Sequence, residues 1–155
     1  MSDAPGAEKP RRNRRRENRV AAMQFLYAWE SQRPPDPVVA LAEFLTLQEH
    51  PRDHYAFAES LVAGALGHLD EIDRAIERHA DNWSIGRIAK VELAILRLAV
   101  HELLRRRDIP PVVSINEAIE LAKGFGGDDS HRFVNGVLDK VKETLDRPLR
   151  EAAEG

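Results

Sequence analysis

Apolar residues recur three and four apart along most of this chain, and nowhere alternate in the strand-like way. From Arg12 to Gln32 there is no Gly or Pro and there are many strong helix formers, which predicts a first helix. At about 100° per residue, Ala22, Phe25, Leu26 and Trp29 share one face, and Val20, Met23 and Tyr27 share another. A helix with two apolar faces is either central to a core or buries one face against a partner. Pro34, Pro35 and Pro37 close it and open a second helix, with Asp36 as N-cap and Pro37 at the first position. Val38, Leu41, Ala42 and Leu45 are its stripe. A third helix starts at Pro51, carries Ala58, Leu61, Val62, Ala65, Leu66 and Leu69, and bends near Gly67. Ile72 and Ile76 take the pattern on to about His79.

Asp81 to Gly86 reads as a loop holding Trp83, with Ser84 as a cap. A long helix follows from about Ile88 to Arg107, ended by Arg105, Arg106 and Arg107 and then Pro110 and Pro111. Ser114 and Glu117 have capping-box spacing ahead of Ile115, Ala118, Ile119 and Ala122. That helix stops at Gly124 to Gly127. Asp128, Asp129 or Ser130 caps the last helix, striped by Val134, Val137, Leu138, Val141 and Leu145. The expectation is an all-α fold of about seven helices. Short connections favour antiparallel bundles.

Charge changes this picture more than composition does. The net charge is −3. Residues 1–19, however, carry seven Lys/Arg against three Asp/Glu, while the remainder carries 16 against 23. A basic arm on an acidic body suggests a polyanion held on one side. Residues 1–10, with two prolines and one glycine, read as a disordered tail. No run of apolar residues is long enough for a membrane span, and the basic N-terminus lacks the apolar stretch of a secretory signal. Cysteine is absent, which removes disulfides, thiolate metal sites and cysteine nucleophiles together.

Catalytic patterns are missing. His50 and His54 stand four apart, but Pro51 intervenes and no HExxH exists, so a helical zinc pair is not expected. Ser130 and His131 are helix neighbours pointing about 100° apart, which is wrong for a nucleophile and its base. The glycines of "GFGG" (124–127) follow a helix rather than a strand and lack the Lys-Ser/Thr of a phosphate loop. No cofactor or metal site is expected.

Three features remain. Arg11, Arg12, Arg14, Arg15, Arg16 and Arg19 lie within nine residues. They form either a phosphate-binding arm or a solubilising tail. Glu92 interrupts an apolar stripe of Ile88, Ile95, Leu96 and Ala99. It pairs either with a cation of its own chain or with a donor brought by a partner. Phe133 stands at a helix start, where an aromatic can stack a base or simply join the core, and Asp129 beside it can be only a cap.

The stretch "SINEAIELAKGFGGDDSHRFVNGVLDKV" (114–141), with "FLYAWE" (25–30) and "VELAILRLAVHELLRRRDIPPVVSINEA" (91–118), resembles the NusB family of transcription antitermination proteins. The resemblance runs from about Arg11 to Leu145. It departs at Phe25, where a small residue is common, at the proline-rich loop 34–37 and in the acidic tail after Arg147. It implies a helical bundle of two small subdomains, about 11–80 and 81–147, with a flexible C-terminal tail at 148–155. It implies binding rather than catalysis. The implied partners are boxA RNA of nascent ribosomal RNA transcripts and NusE, a small-subunit ribosomal protein, within an antitermination complex on RNA polymerase in the cytoplasm. By the same resemblance the six arginines, Asp129 and Phe133 contact RNA, and Tyr27 and Glu92 face NusE. A homodimer covering the RNA surface is also compatible with it. The runners-up are the RNA-binding module of rRNA cytosine methyltransferases and a helical adaptor that binds no RNA.

Overall fold

The structure is a computed structural model that describes residues 8–81 and 83–153, with the backbone alone for residues 8–10. Most of the expected N-terminal tail, residues 1–7, lies outside the described residues. Among the described residues there are seven α-helices and no strand. They are α1 (Glu8–Gln32), α2 (Pro37–Thr46), α3 (Ala56–Gly67), α4 (Leu69–His79), α5 (Lys90–Arg105), α6 (Pro111–Phe125) and α7 (Ser130–Lys142). Short 3-10 turns at Arg52–Tyr55 and Ile85–Arg87 precede α3 and α5. No helix among the described residues is long and apolar enough to cross a membrane.

The arm is helical. α1 starts at Glu8, four residues earlier than periodicity predicts, because the arginines themselves are good helix formers. It ends without glycine. Arg33 takes a left-handed conformation (φ 40°), donates its N–H to the Trp29 carbonyl at 2.9 Å and lays its guanidinium on the Trp29 ring. Asp36 then caps α2 as expected, its carboxylate accepting from the Val38 and Val39 N–H groups, with Pro37 at the first position.

α5 is the centre of the molecule. Every residue from Leu93 to Leu103 is buried, and α1, α3, α4, α6 and α7 pack around it. A helix buried all round must place its polar groups against partners. Arg97, 1% exposed, donates to both Asp73 oxygens of α4 at 2.9 Å and to Glu30 of α1. The hydrophobic cluster is continuous from α1 to α7, so the two halves share one core.

Two expectations need correction. Ser114 and Glu117 form no capping box. α6 begins at Pro111 after an extended Pro110, so both residues lie inside the helix. Ser114 donates to Glu102, and Glu117 pairs with Arg16. The C-terminal segment also lies against the body through residue 153. Arg147 is buried and donates to the Leu103 and Ile109 carbonyls. Val112 N–H donates to the Leu149 carbonyl at 3.0 Å, and Ala153 N–H donates to that of Arg107 at 2.7 Å. Residues 154–155 lie outside the described residues.

Candidate nucleic-acid interface

The arginines of α1 divide by the direction in which the helix turns them. Arg11, Arg12 and Arg14 are exposed and make no ion pair among the described residues. Arg15 lies over the Phe57 ring at 4.3 Å. Burial there, and then the charges of Arg11 and Arg19, lower the pKa of its guanidinium below the ordinary value. Such crowding of like charge is relieved by a bound polyanion. Arg16 is half-exposed and forms a two-pronged pair with Glu117 at 3.1 and 2.8 Å, which raises its pKa.

Arg19 departs from the expected RNA-facing set. It is 4% exposed, and its fork closes on Glu102 at 2.9 Å for both bonds. It therefore joins α1 to α5 instead of facing solvent. Sequence spacing cannot separate it from its neighbours, because the arginine run continues straight into the buried part of the helix.

Glu92, Asp129 and Phe133 come together in one groove of about 430 Å³, walled also by Trp83, Arg87 and the Gly127–Ser130 turn. The turn is made possible by Gly126. A Cβ there would meet Ser130 Cβ at 2.5 Å and the Ala122 carbonyl at 2.8 Å. With that approach open, Ser130 Oγ accepts from Gly127 N–H at 2.9 Å and donates to Glu92 at 2.7 Å. Asp129 holds the N-cap position, and the Ser130 hydroxyl ties the preceding turn to Glu92 instead of capping the helix. The Asp129 carboxylate makes no cap bond and faces solvent beside Arg132, 3.6 Å away.

Glu92 has no Lys or Arg partner among the described residues. A half-buried carboxylate satisfied only by a hydroxyl can accept a further donor from outside. Phe133 is half-buried, with one side on the core and the other on the groove. Trp83, 51% exposed, lines the same groove and is the aromatic that the sequence pattern marks only as a loop residue. An exposed Trp in a polar loop is the signal that marks it.

Tyr27 occupies a neighbouring apolar notch with Met23, Gln24, Val91 and Phe125. Tyr27 and Phe125 are both nearly half exposed. Val91 links this notch to Glu92 through the chain. The exposed arginines of α1 line neither groove. Arg16 and Tyr27 lie eleven positions apart on one helix, or ~16 Å along its axis at 1.5 Å per residue.

A family model described as the NusB family matches residues 16–143. The chain belongs to the NusB family. A transcription antitermination protein NusB from Geobacter sulfurreducens is 47% identical over 133 residues, covering 84% of this chain and 95% of the relative. That of Myxococcus xanthus is 42% identical over 137 residues, covering 86% and 98%. Among solved structures, NusB of T. maritima aligns with TM-score 0.77 at 36% identity, covering 86% of this chain and 93% of that one. A crystal structure of antitermination factors NusB and NusE in complex with dsRNA aligns equally well, TM-score 0.77 at 30% identity, covering 86% and 98%. The NusB match starts at Arg16, so Arg11, Arg12, Arg14 and Arg15 lie just outside it.

Proposed function

We propose that this protein is a transcription antitermination factor that binds boxA RNA of nascent ribosomal RNA transcripts together with NusE, and that it acts through binding, not catalysis, in the cytoplasm within an RNA polymerase complex. The observation that carries the reading is NusB family membership over nearly the full length of its relatives, including a NusB solved with NusE and RNA. Full-length agreement with NusB relatives also favours this reading over a methyltransferase module. The residue roles we assign are consistent with this geometry. Arg11, Arg12, Arg14, Arg15 and Arg16 hold phosphates, giving affinity without sequence preference. Phe133, with Trp83 in the same groove, offers ring faces to bases, and Asp129 offers acceptors to base edges. Tyr27 and Glu92 present an apolar notch and an acceptor to NusE. Arg19 holds the arm helix to the body.

The test is a mobility shift with boxA RNA and a scrambled control, with and without NusE. A shift specific to boxA and enhanced by NusE is expected, whereas an adaptor shifts neither RNA. Replacing Arg11, Arg12 and Arg14 by glutamine should reduce the slope of log K against log salt by about 2, since each phosphate contact on a single strand contributes about 0.7. An unaltered slope in a filter-binding titration removes the arm from the interface. Glu92→Lys should weaken NusE binding by about 2 kcal/mol, because it sets a cation where a donor must dock. Its circular dichroism should match the wild type, and calorimetry showing equal affinity sinks this role for Glu92.

A further inference from the structure

We propose that Glu17, His50 and His54 form a binding site for one divalent transition-metal ion of the Zn²⁺ kind. The three side chains come from α1, from the turn after α2 and from the 3-10 turn before α3. Glu17 Oε1 lies 2.8 Å from His54 Nε2 and 3.8 Å from His50 Nε2. All three ligand atoms fall within 4.8 Å of one another. A tetrahedral Zn²⁺ with bonds of about 2.0–2.1 Å needs its donors about 3.3 Å apart. The two spacings to Glu17 bracket that value, so rotation of the exposed Glu17 carboxylate, with small adjustments of the partly buried imidazoles, suffices to close the site.

The backbone beneath is already fixed. Asn18, fully buried next to Glu17, donates to the His54 carbonyl at 3.1 Å and accepts from Ala58 N–H at 2.9 Å. His50 N–H reaches the hydroxyl of buried Tyr55, and the two imidazoles stack at 4.0 Å. The donors converge at a surface where water can complete the shell. Two nitrogens and one carboxylate suit zinc and its neighbours rather than calcium or magnesium, which take oxygen. Spacing along the chain conceals the set, because Glu17 lies far upstream of Pro51 and its flanking histidines. An ion here cross-links the arginine-bearing helix to the α2–α3 corner and turns a negative point among the arginines positive.

The experiment titrates the full chain, free of any histidine tag, with Zn²⁺ by calorimetry and with Co²⁺ by visible absorption. One ion per chain and d–d bands from bound cobalt are expected. Affinity should fall at least about tenfold in Glu17→Gln and in His54→Ala, a loss of the size seen when even outer partners of a metal ligand are removed. His131→Ala, on α7, should leave it unchanged. Glu17→Gln alters an exposed side chain, so unfolding cannot account for its effect, and thermal melts of each variant verify this. Absence of a saturable site, or equal affinity in wild type and the His50→Ala/His54→Ala double variant, overturns the proposal.

Discussion

Glu102→Gln is expected to destabilise the protein by about 3–5 kcal/mol, the usual loss when one member of a buried ion pair is neutralised. Glu102 is 1% exposed and lies in the last turn of the core helix. Its carboxylate accepts both prongs of Arg19 at 2.9 Å and the Ser114 hydroxyl at 2.6 Å, so α1, α5 and α6 meet on one group. Its backbone carbonyl also lies 3.3 Å from Arg147, which carries the join to the C-terminal segment. Glutamine matches the shape but removes the charge. It strands a guanidinium in the interior and offers one oxygen where two were used. Urea unfolding followed by circular dichroism measures the loss. Replacing both residues by apolar ones, Arg19→Met with Glu102→Leu, should recover most of it, because the pair mainly offsets its own desolvation. A single variant within about 1 kcal/mol of wild type would mean that water or another anion already reaches Arg19.

That pair also shows where a linear pattern stops being informative. Helix periodicity depends on neighbours three and four apart, and those rules place α1, α2, α5, α6 and α7 within a few residues of where they lie. The break at His68, which separates α3 from α4, is anticipated only as a bend, because it depends on the turn at His68 itself. The His68 N–H is shared by the Gly64 and Ala65 carbonyls and its ring reaches Gly64. Arg16 and Arg19 look alike in the chain. One meets Glu117 at the surface and the other meets Glu102 inside, and the sequence separations, 101 and 83 residues, lie far beyond any local rule.

The site follows the same division. Glu92 is visible as a carboxylate out of place, and Phe133 and Asp129 are visible as an aromatic and an acid at a helix start. What joins them is Ser130, whose two hydrogen bonds need Gly126 to have no side chain. The Ser-x-x-Glu spacing at 114–117 misleads for a related reason. Proline at the first position of α6 starts the helix one turn early, and both polar residues are then free to serve other helices.

Acid should unfold the protein in part through His101. Its ring lies against Gly64, where any Cβ would collide with it, and is 3% exposed. Both ring nitrogens are buried without a hydrogen-bond partner among the described residues. Burial lowers the pKa from 6.5 to about 4, with Glu102 opposing and Arg106, His68 and Arg105 reinforcing the shift. The folded state therefore favours the neutral ring, and the unfolded chain binds the extra proton. Stability from this group is complete above pH 6.5 and is lost as pH falls toward about 4. At about 1.4 kcal/mol per unit, the loss across that window is about 3 kcal/mol. His101→Leu keeps an apolar side chain under Gly64 and removes the titration. Carboxylates titrate in the same range, so the decisive quantity is the stability of the variant minus that of wild type. It should grow by about 3 kcal/mol between pH 7 and pH 4. A difference that stays constant with pH would show that His101 finds water or a donor in solution and is not held neutral by its burial.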